Sequence, residues 1–103
     1  MKNMNQRQSK VAEEIRHIVA LALLRDDFGT DANTSRLTVT TVWASADLRL
    51  ARVYVALPLD WNEKETLAEL NALVAAPLRK VLAKQLATKY IPSVSFFVSE
   101  TGL

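Results

Sequence analysis

Apolar residues at Val11, Ile15, Ile18 and Ala22 recur at spacings of four, three and four, one stripe of a helix with 3.6 residues per turn. Val19 and Leu23 widen the stripe, while Arg7, Lys10 and Arg16 alternate with Glu13 and Glu14 on the polar side. The spacing predicts a helix over 7–25, followed by a polar and mobile loop from Asp26 to Ser35. Leu37 to Trp43 is rich in Thr and Val and reads as a strand. Its Val39 and Val42 break strict alternation, and a bulge near Thr40 and Thr41 would return both to one face. Ala44 to Leu48 supplies a turn. From Leu50 to Leu57, Ala51, Val53, Val55 and Leu57 alternate with Leu50, Arg52, Tyr54 and Ala56. Two strands so close in sequence should pair as an antiparallel hairpin.

Pro58 to Trp61 ends the second strand, and Asn62 is suited to cap a helix, with Glu65 placed to complete a capping box. Leu67, Leu70 and Val74 continue a helical stripe to Pro77, where the missing amide and the ring predict a kink or break. Leu78, Val81, Leu82, Gln85 and Leu86 give the inner face of a further helix. Pro92 closes the connection, and Val94 to Val98 forms a last strand. The pattern predicts an α+β fold, with three helices on one face of a three-stranded mixed sheet. This αββααβ order resembles that of the type II KH domain. The expected boundaries are a flexible N-terminus at 1–6, one domain at 7–99 and a C-terminal end at 100–103.

The chain's 103 residues suit one domain, and half of them are hydrophobic, enough for a core without staples. There is no cysteine, which removes disulfides and thiolate metal sites. The longest strictly apolar run, Ile18 to Leu24, is seven residues, far short of the ~20 that span a bilayer. A polar start without an apolar run argues against a secretory signal, and a soluble, cytoplasmic protein is expected. Net charge is only +2, but it is segregated: from Asn71 to Ser99 there is no acidic residue.

That segregation makes Arg79, Lys80, Lys84 and Lys89 the foremost candidates for RNA contact. Lys80 and Lys84 form a like-charge i, i+4 pair, mildly unfavourable unless anions sit nearby. Arg7, Lys10 and Arg16 extend the candidate surface, and Arg49 and Arg52 add to it at the hairpin. The competing reading of each is a solvated surface charge. Trp43 and Trp61 suit core caps better than stacking platforms, and Glu63, Glu65 and Glu69 suit the start of a helix dipole. His17 has no second histidine, cysteine or carboxylate cluster beside it, so neither catalysis nor a metal is expected. No glycine loop is present to cradle a phosphate, which argues against a small hydrolase. No cofactor and no small-molecule substrate are expected.

The segment from Thr38 to Val55 carries a more specific message. It meets every fixed position of T-V-T-x-V-x-x-S-x-D-L-x-x-A-x-V-Y-V, the signature of the ribosome-binding factor A family. Arg7 with Val11 to Ile15 resembles the family's opening helix, and Leu78, Arg79, Leu82, Lys84, Leu86, Pro92 and Phe96 resemble its last helix and strand. The resemblance spans roughly residues 7–101. It implies a monomeric KH-like domain that binds the immature small (30S) ribosomal subunit and its rRNA, near the decoding region. It also implies a role in 16S rRNA processing, important in the cold. A generic KH-like RNA-binding module and a protein–protein adaptor remain the alternatives. One departure stands out. Where KH domains carry a Gly-x-x-Gly clamp and the family an Ala-x-Gly kink, this chain has Val74, Ala75, Ala76 and Pro77. Bare backbone to approach a phosphate is therefore missing there, and contact through side chains is expected. Family members often continue into a charged tail; this sequence runs to Leu103.

Overall fold

A computed structural model describes residues 3–26, 28 and 33–99. Helix α1 spans Gln6–Arg25 and starts from a reciprocal cap. The Asn5 side chain accepts from the Gln8 amide at 2.8 Å, and Gln8 Oε1 accepts from the Asn5 amide at 3.0 Å. The buried Gln8 also donates through Nε2 to the Ala44 carbonyl at 2.9 Å, tying the helix start to the end of the first strand. The buried stripe is centred on Ala12, Ile15, Val19 and Leu23, with Val11, Ile18 and Ala22 on its half-buried flank. That is a small rotation from the stripe expected, because Gln8 carries the core face one turn further back.

Asp26 ends α1 in the left-handed region at φ 54°, its amide donating to the Ala22 and Leu23 carbonyls. Half of the expected mobile loop, Asp27 and residues 29–32, lies outside the described residues. Its far end is a 3₁₀ turn, Thr34–Arg36, that no periodicity announced. Thr34 is fully buried, and its hydroxyl sits 2.8 Å from the Leu23 carbonyl and 2.7 Å from Asp26 Oδ1. One hydroxyl proton can serve only one of them at a time.

Strands β1 (Thr38–Ala44) and β2 (Leu50–Ala56) pair antiparallel, and β3 (Ser93–Val98) lies parallel to β2 on its other side. The predicted bulge is present: Val39 pairs with Val55 and Thr41 with Tyr54, leaving Thr40 as the extra residue. Thr40 Oγ1 donates to the Tyr54 carbonyl at 3.1 Å, and both Val39 and Val42 face the core. The turn between the strands explains the Ser-x-Asp-Leu stretch. Asp47 Oδ1 accepts from the Ser45 hydroxyl at 2.7 Å and the Arg49 amide at 3.1 Å, while Ser45 Oγ accepts from the Leu50 amide at 3.0 Å. Leu48 adopts φ 60°, unfavourable for a residue with a Cβ, and buries its side chain in return.

A parallel partner needs a long crossover, and α2 (Glu63–Glu69) and α3 (Ala75–Gln85) supply it. Asn62 caps α2 by accepting from the Glu65 amide at 2.9 Å. The expected bend takes a definite form. The chain stays helical from Glu63 to Gln85 but widens into a π-helical turn at Leu70–Val74, where the Ala75 amide donates to the Leu70 carbonyl. The irregularity thus lies just before Ala75, Ala76 and Pro77. The wider turn accommodates a ring that would crowd the carbonyl four residues earlier. Leu70, Val74, Leu78 and Leu82 pack with α1 over Val53, Val55, Val94 and Phe96, so all three helices cover one face of the sheet. Among the described residues, no element covers the other face, which is bare.

Candidate nucleic-acid interface

Two groups of cationic and aromatic side chains stand out. The first gathers around residues 89–91, between α3 and β3. Arg79 reaches from α3, its Nη2 donating to the Ile91 carbonyl at 3.2 Å. Arg49 comes from the hairpin turn, with its guanidinium carbon 4.5 Å from the centre of the Tyr90 ring. Lys89 Nζ lies 5.5 Å from the same ring centre. Such contacts hold long cationic side chains over an aromatic face without neutralising them. The turn is fixed to this segment by the backbone as well, since the Ser93 amide donates to the Arg49 carbonyl at 2.8 Å. Lys80 sits one helix position beyond Arg79, and both line a shallow hollow with Ala76, Ala83 and Ile91. Arg49, Arg79, Lys80 and Lys89 are all exposed and make no salt bridge among the described residues.

The second group lies on the bare face of the sheet. Arg52 points outward from β2, its guanidinium carbon 4.8 Å from the ring centre of Trp43 and 5.8 Å from that of Phe97. Tyr54 and Phe97, paired across β2 and β3, stack with centroids 5.5 Å apart and 28° between planes. The expectation that Arg52 and Tyr54 share a strand face is met. Trp43 does not cap the core as expected: alternation along β1 places it on the outward face of the sheet, beneath Arg52. Trp61 lines a pocket with Leu37 and Leu70, beneath Arg36, whose guanidinium carbon is 5.4 Å from its ring centre.

The remaining candidates are not brought into these groups. Lys84 faces the other flank of α3, where it lines a groove with Arg25, Phe28, Ile18 and Leu21. Arg7 and Arg25 are eighteen residues, or about five turns of 3.6, apart and so share a side of α1. Lys10 is exposed on α1 toward solvent. Arg16 is paired: its Nη2 donates to Glu13 Oε1 at 2.6 Å and its Nε to Glu13 Oε2 at 3.0 Å. That bidentate bond holds the Glu13 carboxyl below its ordinary range and raises Arg16 further. An arginine held this way is a poorer phosphate ligand than Arg79. His17 is an exposed neighbour of the same carboxylate, at 3.3 Å.

Sequence reasoning missed Tyr90 and Phe97. The available signal was an aromatic beside a lysine at 89–90 and an outward position in a strand whose partner carries Tyr54. Among the described residues there is no group of side chains that could hold a metal ion, and no helix is long and apolar enough to cross a membrane.

The helix-backed mixed sheet in αββααβ order defines a KH-like domain of type II. The chain belongs to the ribosome-binding factor A family, whose sequence model matches residues 7–102. A ribosome-binding factor A from Roseobacter denitrificans is 40% identical over 98 residues, which are 94% of this chain and 68% of that protein. Among solved structures, a putative ribosome-binding factor A from Thermotoga maritima superposes with a TM-score of 0.74 at 28% identity, covering 94% of this chain and 91% of that one. A homology model of the Thermus thermophilus factor, fitted into a cryo-EM map of a complex with the 30S subunit, shares the fold. Its TM-score is 0.67 at 20% identity, with 90% of this chain and 96% of that one covered.

Proposed function

We propose that this chain is a non-catalytic assembly factor that binds the immature small ribosomal subunit through side-chain contacts with its rRNA. It acts as a cytoplasmic monomer, assists 16S rRNA processing and maturation, and matters most in the cold. Family membership supports the subunit as partner, as does the 30S complex of the Thermus thermophilus relative. The observation that carries the rRNA contact is the convergence of Arg49, Arg79 and Lys89 on residues 89–91, with Lys80 beside them. Three separate elements deliver cations to one place, and among the described residues none of these cations is held in a salt bridge. Such a cluster suits phosphates of folded RNA, and it replaces the backbone clamp that Ala75, Ala76 and Pro77 cannot form.

A factor of this kind favours one rRNA conformation by binding it better than another. Co-sedimentation with ribosomal subunits tests the reading. The protein should travel with free small subunits, with a preference for immature ones, and be absent from assembled ribosomes. Equal distribution over all ribosomal particles, or none on small subunits, refutes it.

A further inference from the structure

The bare face of the sheet has a composition that shielding from water does not require. Two adjacent cross-strand rows occupy it: Trp43, Arg52 and Ser95, then Thr41, Tyr54 and Phe97. Within them Arg52 lies between Trp43 and Phe97, and Phe97 stacks on Tyr54. Phe97 stays 39% exposed despite its size, and Arg52 is exposed. No strand residue on this face is acidic; Glu63 of α2 lines the adjoining groove.

We infer that Trp43, Arg52, Tyr54 and Phe97 form a stacking platform for unpaired bases of RNA, a second contact beside the phosphate-binding cluster. The inference rests on the proposed rRNA partner and deepens it by assigning the chemistry of one subsite. Bases stack on aromatic rings and on guanidinium planes, and they do so without needing a particular sequence. Arg52 supplies the positive charge that a base's own phosphate requires, and Ser95 and the Tyr54 hydroxyl supply polar atoms at the edges. An apolar protein surface fits less well, because it would bury the Arg52 guanidinium without a counter-charge. The face differs from the first cluster in kind: there, cations are displayed for a folded backbone, whereas here rings are displayed with one cation among them.

The test uses the whole chain carrying Trp61→Phe, so that Trp43 is the one indole reporting fluorescence. Titration with a short unstructured RNA oligonucleotide should quench Trp43. Phe97→Leu, which keeps apolar bulk but removes the ring, should weaken oligonucleotide binding about tenfold, as Tyr54→Leu should, since each stacked base contributes about 1–3 kcal/mol. The dependence of log affinity on log salt should keep its slope, because every cation that neutralises a phosphate is still in place. Circular dichroism confirms that both variants are folded. If naked oligonucleotide does not quench Trp43, even where small subunits do, the face does not stack unpaired bases and the inference is overturned. It is equally overturned if Phe97→Leu and Tyr54→Leu bind RNA as the parent does. Either result leaves the rRNA reading standing provided the parent still sediments with small subunits; failure there removes the reading itself.

Discussion

The side chain of Asn71 binds the backbone of Phe96 from both sides of one residue: Oδ1 accepts from the Phe96 amide at 2.8 Å, and Nδ2 lies 3.3 Å from its carbonyl. Asn71 sits in the π-helical turn and β3 is an edge strand, so the carboxamide acts as one residue of a missing neighbour. The widened turn therefore has a structural role beyond accommodating Pro77. It presents an amide side chain to an edge that would otherwise be open.

Asn71→Ala should destabilise the fold by about 1–2 kcal/mol, since two backbone groups lose partners at a site that water can partly reach. Urea denaturation measures it as a lower midpoint at unchanged slope. Asn71→Asp should recover only part of the loss, because a carboxylate accepts from the Phe96 amide but cannot donate to its carbonyl. A fully stable Asn71→Ala would show that the edge does not need this cover.

Thr34→Val retains shape and burial but removes the hydroxyl shared by the Leu23 carbonyl and Asp26. A loss of about 1–3 kcal/mol is expected, because the buried site leaves polar atoms unpaired. Hydrogen exchange at the C-terminal end of α1 should speed up before that of the strands.

The hairpin turn gives a pH dependence with a definite sign. The Ser45 hydroxyl first, and the Arg49 amide second, hold the Asp47 carboxyl below its ordinary range. A carboxyl depressed in the folded state contributes stability that is fully present above its unfolded pKa, about 3.9, and is lost as pH falls through the folded value. Asp47→Asn should therefore be less stable than the parent at neutral pH, and the gap should narrow as pH falls below about 4. Denaturation curves at pH 7 and pH 3 decide this; a gap that widens in acid contradicts it.

Replacing Arg79, Lys80 and Lys89 with alanine should weaken small-subunit binding uniformly. It should also flatten the salt dependence, by about one slope unit for each phosphate that is no longer neutralised. Arg16→Ala should change binding little, since Glu13 already occupies that guanidinium. A large effect of Arg16 with none at Arg79 would relocate the interface to α1.

Much of the fold was legible because local chemistry and tertiary burial agree. The hairpin shows this well: Ser45, Asp47 and Leu48 carry the turn, and Val39 and Val42 require the bulge at Thr40. Pro77 announced an irregular helix, but not a π-helical turn before it, since a ring's crowding can be relieved on either side. The 3₁₀ turn at Thr34 was invisible, because its threonine is held by the end of α1 and not by its own neighbours. The candidate site was legible only as a set of separate cations. Which of them meet depends on the crossover, which brings Arg79 to Ile91 and Arg49 to Tyr90 while sending Lys84 to the other flank.

The sheet order has a bearing on how the chain comes into being. β2 is the middle strand, yet its partner β3 leaves the ribosome in vectorial synthesis only after the whole helical crossover. Until then one side of β2 is an unpaired edge with Val53 and Val55 beside it, the sort of surface that invites self-association. Tyr54 meanwhile lacks Phe97. A nascent or truncated hairpin would thus be both sticky and without its ring pair, so solubility and the sheet's outer face mature in the same step.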